Sequence, residues 1–591
     1  MIRRHLSFLS LACFALILSP LAAQDTLLLK IIVTTDIHGH ILPFDLLENK
    51  TRTNSLAQVQ AFIKREQQKG THEIILLDNG DILQGDPFIY YYNFIDTVGV
   101  HPLASVMNYM SFDAATIGNH DIEAGHAVYD KLHKQFNFPW LSANIIDDHT
   151  NLPYFKPYTI LERKGKRIAV LGLCTPLIPQ WLPPTLWAGM QFGDLLSTAQ
   201  NWVHYIRKNE KPDLLIGLFH SGAERVPEEE GKSPALVENA VRLIAEHVGG
   251  IGIIFSGHDH RRWNEFVSSP DEDFTLILGG GSHARAVSVA TISMISSKDG
   301  LAERRETRGD IIEADRLPAD QQFTNLFQHL LQPARKFVTQ PIAILADSLR
   351  SRDALFGYAP FVALIHQVQL ETSKAKISFA APLSYDAIIA QGPVTWGELF
   401  KLYRYENQLY VMQLSGHEIK AVLEYSYGKW MNRMQGANDN MLNFNKRSDG
   451  RIEVTQGKRP QLATPFYNFE SAAGVNYVVD LSKPAGQRIR IRSLSNGQPF
   501  VLDETYNVAV NSYRGNGGGG HLTEGAGIAH EDLNRRIKWS SDRDMRFLMK
   551  EWFEKQGVIT LPTLQNWKVV PELWVEQAKL KDYQLLFGTI P

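Results

Sequence analysis

Apolar residues in the first half of the chain fall into short, near-continuous runs of Val, Ile and Leu, separated by polar loops and by stretches of helical period. The runs are Leu28–Thr34, Glu73–Leu77, Ala114–Ile117, Arg167–Leu173, Asp213–Phe219, Gly252–Phe255, Thr275–Leu278 and Val287–Ile295. Runs that are apolar throughout, rather than alternating, predict strands buried on both faces. Interleaved with helical stretches, they predict a layered α/β domain. Polar residues punctuate this plan at one recurring place: Asp36, Asp81, Asn119, His220 and His258 each follow directly on the C-terminal end of such a run. Loops at that edge of a sheet are where α/β proteins gather their chemistry.

The pattern changes after Pro318. Leu326, Phe327, Leu330 and Leu331 recur at helical spacing up to about Phe337, predicting a linker helix that Pro333 kinks and Pro341 ends. Beyond it the pattern is mixed, as in an α+β domain. Strands are expected at Lys376–Ala380, Leu409–Leu414, Val475–Leu481 and Tyr506–Val510, and helices at Gly416–Ser426 and Asp542–Lys555. The Gly517–Gly520 run reads as a loop. Trp396, Trp430, Trp539 and Trp567 read as packing residues.

A chain of 591 residues exceeds one ordinary core, since domains usually hold about 100–200 residues. The expected division is an export signal at 1–23, a first domain at 24–315, a linker helix at 316–341 and a second domain at 342–591. Met1 to His5 carry two arginines, an apolar run follows from Leu6 to Leu18, and Ala22 and Ala23 supply small residues. This is the form of a cleaved secretory signal, too short to span a bilayer. Cys13 lies inside that run, so the mature chain keeps Cys174 alone and has no internal disulfide. The expected product is secreted or periplasmic and, once the signal is cleaved, not held at a membrane. Sixty basic against 63 acidic residues leave a net charge of −3, which argues against a nucleic-acid partner, since neutralising phosphates takes a basic excess. A small nucleotide needs only a local basic pocket.

Single motifs here are weak; Asp-x-His recurs at Asp147-Asp148-His149, read as a surface turn. The ordered set is strong: Asp36-Ile37-His38, Gly80-Asp81, Gly118-Asn119-His120-Asp121, His220 and Gly257-His258-Asp259-His260. Splitting a phosphate ester at neutral pH requires an activated water and neutralised phosphoryl oxygens, and two divalent cations about 3.5 to 4 Å apart supply both. Such a pair needs one carboxylate that bridges, flanked by oxygen and imidazole donors. Asp81 is the expected bridge, with Asp36, His38 and His260 completing one site and Asn119, His220 and His258 the other. The mixed nitrogen and oxygen donors favour Mn, Zn, Co or Fe over Mg, and the lack of thiolates argues against a closed structural zinc site. His120, beside the ligands, is the expected catalytic side chain, oriented by Glu123 or Asp121. His40, His126 and His283 read as satisfied polar residues.

These strings resemble the calcineurin-like metallophosphoesterases, specifically the exported branch with a C-terminal nucleotidase domain. The resemblance implies a layered αββα phosphoesterase domain, the same ligand set, and His120 as the catalytic histidine. Relatives often read Glu-Phe-Asp after that histidine; here Asp121-Ile122-Glu123 sets Glu123 at the pairing position. In the second domain the Asn-Gly-Gly-Gly-Ile-Arg string of many 5′-nucleotidases is replaced by Phe379-Ala380-Ala381-Pro382-Leu383-Ser384-Tyr385-Asp386. Leu402-Tyr403-Arg404-Tyr405-Glu406-Asn407, Tyr467-Asn468-Phe469-Glu470, Gly474-Val475-Asn476-Tyr477 and Asn511-Ser512-Tyr513-Arg514 look more like the 2′,3′-cyclic nucleotide 2′-phosphodiesterase/3′-nucleotidase branch. By that resemblance Tyr405 and Tyr513 stack on the nucleobase, with Asn407 close by, and Arg352 contacts phosphate or ribose. The resulting expectation is a periplasmic enzyme of nucleotide catabolism. Alternatives are a 5′-nucleotidase or UDP-sugar hydrolase, and an inactive nucleotide-binding protein. The oligomeric state, monomer or otherwise, stays open.

Overall fold

The computed structural model describes residues 26–224, 236–271, 274–296, 303–454, 459–562 and 565–588; the expected export signal lies outside them. Every predicted strand of the first half is present, with each end within two residues of the expected one. They assemble into two six-stranded sheets. In the first, the strands Thr26–Thr34, Glu73–Asp78, Ala114–Thr116 and Trp140–Leu141 run parallel in that order. The antiparallel strands Ala286–Ser296 and Glu303–Glu313 extend the sheet on the Thr26–Thr34 side. In the second, Phe274–Gly280, Ile253–Ser256, Leu214–His220 and Lys166–Cys174 are parallel, with Arg262–Ser268 and Tyr158–Arg163 as antiparallel edges.

Strand side chains alternate between faces, and both faces are buried here. Leu29, Ile31 and Val33 meet Ile168, Val170, Ile216, Leu218 and Phe255 in the core between the sheets. Ile32 and Leu76 face the opposite way, into the core with the helix Leu56–Lys69, while Leu171 and Phe219 face Leu195–Asn209 and Val241–His247. The result is an αββα stack, and it explains why the strands read as continuous apolar runs.

The linker differs from the single helix expected. Helices Gln321–Phe327 and Leu331–Val338 are separated by the 3₁₀ turn Gln328–Leu330. Pro333 does not make the break. It sits in the first turn of the second helix, where a missing N–H costs nothing, and Pro341 opens a strand.

In the second half a five-stranded sheet has the order Ser471–Ala473, Ile377–Ala380, Thr505–Asn511, Gln408–Ser415, Ile537–Asp544. Its faces are covered by Pro360–Ser373 on one side and Gly416–Trp430 on the other. The helix expected from Asp542 starts at Met545, because Ile537–Asp544 is a strand whose last residue, Asp544, caps the helix. The glycine run forms tight helical turns rather than open loop, with Gly517, Gly519 and Gly520 at positive φ. Trp396, Trp430 and Trp567 are core residues, but Trp539 is 42% exposed because it points outward from an edge strand. One apolar core runs from the first half through Phe337 and Val338 into Trp396, Phe400 and Met545. None of the described helices is long and apolar enough to cross a membrane.

Candidate metal centre

The parallel strands of both sheets end at one edge, and there the loops converge. Asp36 follows Thr26–Thr34, Asp81 follows Glu73–Asp78, Asn119 follows Ala114–Thr116, and His258 and His260 follow Ile253–Ser256. His220 is the last residue of its strand rather than the first beyond it. Five of the seven expected ligands, Asp36, His38, Asp81, His258 and His260, have positive φ. Residues with a Cβ adopt that backbone at a cost, and it persists where the surroundings enforce it, as at functional sites. The glycines before Asp81 and Asn119 are forced by close approach. A Cβ on Gly118 would fall 2.2 Å from Asp81 Oδ1, and one on Gly80 would fall 2.6 Å from Gly118 N.

Two donor groups form. Ligand atoms of Asp36, His38, Asp81 and His260 lie within 4.8 Å of one another, and so do those of Asp81, His220 and His258. Asp81 belongs to both. Asn119 joins the second group: its Oδ1 is 2.8 Å from His258 Nδ1 and 3.1 Å from His220 Nε2. The ring atoms that face away are held. His38 Nδ1–H donates to the Gln84 carbonyl at 3.1 Å, His220 Nδ1–H to the Asn79 carbonyl at 2.7 Å, and His258 Nε2–H to Glu238 at 2.8 Å. Each bond selects the tautomer that turns the other nitrogen toward the cluster.

These residues suit divalent cations. Asp81 Oδ2 is buried without a hydrogen bond, its near neighbour being His220 Nε2 at 3.2 Å, and a carboxylate in that state is costly unless positive charge meets it. Burial works against charge on His220, yet Asp81 holds its imidazole up at about 10. Burial likewise pushes Asp81 up, but His220 and His120 outweigh it and keep the carboxyl well below its usual range. The spot draws positive charge strongly.

His120 sits beside the first group, its ring centroid 5.5 Å from that of His38. Its Nδ1–H donates to Glu123 Oε2 at 2.5 Å, and its backbone N–H to Asp81 Oδ1 at 2.8 Å. Of the two orienting carboxylates considered, Glu123 is the one in contact. Asp121 has a different task. Its Oδ2 accepts from Asp81 N–H and Gly118 N–H at 2.9 and 2.7 Å, its Oδ1 from Ile82 and Leu83 N–H at 2.8 and 3.0 Å. One buried side chain thus ties together the two loops that present Asp81 and Asn119.

The tyrosines come from the second half by register. Leu409 pairs with Asn511 in neighbouring antiparallel strands, so the chain just before Leu409 and just after Asn511 emerges at the same sheet edge. That places Tyr405 and Tyr513 together, near enough for Tyr513 and Glu123 to help push the Tyr405 phenol up after burial and against Arg404. Tyr467 forms a third wall, edge-on to Tyr405 at 6.4 Å. Asn407 is buried in the same strip. Arg352 is not brought to the cluster. Its guanidinium donates to Asp386 at 2.8 Å and stacks on Phe587 at 4.7 Å. Arg514, just before the glycine run, is buried. It pairs with Glu470 at 2.8 Å and donates to the Asn468 side chain at 3.2 Å, bracing the Tyr467 and Tyr513 loops together.

Some contributors lay outside sequence reasoning. Asn79 and Gln84 act through backbone carbonyls, which leave no residue-type signal. Glu238 and Trp181, whose ring stacks on His258 at 5.6 Å, belong to no motif. His40 and His283 are satisfied polar residues as expected, but His283 also packs against His38 at 5.1 Å. His126 is a half-exposed residue held by Asp130. Asp147-Asp148-His149 is a surface turn in which Asp147 accepts from the following N–H groups.

The chain is similar to known proteins along most of its length. The calcineurin-like phosphoesterase family profile matches residues 29–262, and the 5′-nucleotidase C-terminal domain profile matches 339–524. A Yersinia enterocolitica protein named 2′,3′-cyclic-nucleotide 2′-phosphodiesterase/3′-nucleotidase is 26% identical, over 96% of this chain and 92% of its own. A Haemophilus influenzae protein of the same name is 26% identical over 92% of this chain and 87% of its own. A putative 5′-nucleotidase structure from Staphylococcus aureus superposes with a TM-score of 0.74 at 22% identity, covering 92% of this chain and 99% of that one.

Asp121→Ala strands four buried N–H groups, each worth about 1–3 kcal/mol. The expected outcome is a loss of at least about 3 kcal/mol in denaturant unfolding, with reduced metal content by elemental analysis. The chain carries a calcineurin-like phosphoesterase domain followed by a 5′-nucleotidase C-terminal domain, and is a hydrolase of phosphoric esters of nucleotides.

Proposed function

We propose that the protein is a 2′,3′-cyclic-nucleotide 2′-phosphodiesterase/3′-nucleotidase working with two divalent cations. The observation that carries this reading is Asp81, one carboxylate shared by two donor groups, with His120 beside it and the tyrosine edge of the second domain facing it. The branch is supported by the names of the relatives similar along nearly the whole chain, and by the absence of the Asn-Gly-Gly-Gly-Ile-Arg string.

In this reading Asp36, His38, Asp81 and His260 hold one cation and Asp81, Asn119, His220 and His258 the other. Nitrogen and oxygen donors favour Mn, Zn, Co or Fe over Mg. Such cations activate water and neutralise phosphoryl charge. The chain's own groups do the rest. Burial pushes His120 down, but Asp81 and Glu123 outweigh it and hold it up at about 9. With Nδ1–H engaged by Glu123, Nε2–H is the donor offered to the phosphoryl or leaving oxygen. Tyr405 and Tyr513 grip the base, a stack worth about 1–3 kcal/mol per base. The same reading has the enzyme exported, with the segment up to about Ala23 removed, to scavenge nucleotides in the periplasm.

The test is phosphate release from 3′-AMP, 5′-AMP and 2′,3′-cyclic AMP by metal-reconstituted protein. The expected order puts 3′-AMP and the cyclic nucleotide well above 5′-AMP, with all activity lost to a chelator; a preference for 5′-AMP overturns the branch. His120→Ala lowers kcat by about 10² or more with both metals retained, and an unchanged rate in metal-replete variant removes its role. Tyr513→Ala weakens nucleotide turnover far more than that of p-nitrophenyl phosphate, and equal losses on both refute stacking.

A further inference from the structure

Arg546 is fully buried, in the first turn of the helix Met545–Gln556. Its Nη1 donates to the Arg404 carbonyl at 2.8 Å and its Nη2 to the Glu406 carboxylate, so one guanidinium grips the chain on both sides of Tyr405. Its Cζ lies 4.2 Å from the Phe400 ring centroid and 4.5 Å from that of Tyr90, and these two rings meet edge to face with centroids 5.3 Å apart. Phe400 belongs to the second half of the chain, but Tyr90 comes from the first. The Tyr90 hydroxyl also donates to Asp544 at 2.7 Å.

Tyr90 stands on the helix Pro87–Phe94, which continues directly from the metal loop. Asp86 caps that helix, accepting from Phe88 N–H at 2.8 Å, and Asn93 donates back to the Leu83 carbonyl at 2.7 Å. Gln84 of the same loop orients His38, and Asp81 opens it. A short series of rigid contacts therefore runs from the shared carboxylate, through this helix and the Arg546 plane, to the backbone that presents Tyr405. Sliding one half over the other would expose or strand a buried guanidinium that is ion-paired to Glu406 and held against an aromatic ring from each half, so the contact favours one register.

We propose that Tyr90, Arg546 and Glu406 form a positioning junction that sets the separation between the metal-holding residues and the Tyr405 face, and so selects which phosphate ester of a nucleoside reaches the metals. The inference rests on the proposed nucleotide reading. The base-to-phosphorus distance differs between 3′- and 5′-monoesters of one nucleoside, so a rigid spacing discriminates between them. A small aryl phosphate, which never reaches Tyr405, is indifferent to it.

The experiment measures kcat/KM of the full-length, metal-loaded protein and its variants on 3′-AMP, 5′-AMP and p-nitrophenyl phosphate. Tyr90→Leu is expected to lower kcat/KM on the preferred nucleotide tenfold or more, hold the aryl phosphate within threefold, and shrink the ratio between the two AMP isomers. Tyr90→Phe, which keeps the ring under Arg546, restores the nucleotide value to within threefold of wild type. Arg546→Lys keeps the charge but loses the planar fork, and gives the Tyr90→Leu pattern; it serves where circular dichroism shows Tyr90→Leu unfolded. Equal losses on nucleotide and aryl phosphate, no loss on either, or failure of Tyr90→Phe to restore turnover overturns the junction. If wild-type protein cleaves the aryl phosphate but no nucleotide, the proposed function fails instead, before any variant is compared.

Discussion

Asp81 has to present one buried carboxylate to two groups of donors at once, and much of the first domain is shaped by that demand. A carboxylate out of water needs positive charge on every side it shows. His220 and His120 supply part of it from the protein itself. The loops that crowd around Asp81 approach so closely that neighbouring positions tolerate no side chain, as at Gly80 and Gly118. Five ligand positions take left-handed backbone, a cost borne because the two packed sheets leave the loops no other path. Asp121 adds the tie that keeps two of these loops in register.

The division of labour between the two halves follows from how strands end. In the first half, parallel strands of both sheets terminate at one edge and bring acid, amide and imidazole groups together there. In the second half, the antiparallel pairing of Leu409 with Asn511 delivers two tyrosines, far apart in sequence, to a single edge. Neither half holds both sets. A continuous apolar core and the buried Arg546 plane join them, and so the distance between chemistry and recognition becomes a property of the interface rather than of either fold.

Residue types and their order were enough to read the layered sheets, because strands buried on both faces have to be apolar throughout. They were also enough to nominate the eight residues from Asp36 to His260 that meet at the sheet edge, because a pair of divalent cations restricts the donors to oxygen and imidazole. They did not predict the break in the linker, since a single 3₁₀ turn of three residues is too short to show its own period against that of an α-helix. Nor did they predict the exposure of Trp539, since composition cannot tell an outward-facing position on an edge strand from an inward one.

What only the tertiary structure decided are the matters that depend on distance. Residue type alone leaves Asp121 and Glu123 both open as partners for His120, and resemblance points to Glu123; spatial reach makes Glu123 the partner and leaves Asp121 to clamp four N–H groups. Arg352 reads as ligand-facing by resemblance, yet it is engaged by Asp386 of its own domain, and Arg514 beside Tyr513 is likewise engaged by Glu470. The carbonyls of Asn79 and Gln84, the Glu238 carboxylate and the Tyr90–Arg546 contact carry no motif at all. Each acts through proximity between segments remote in sequence, and a linear string holds no record of which remote segments the packing of the core brings within reach.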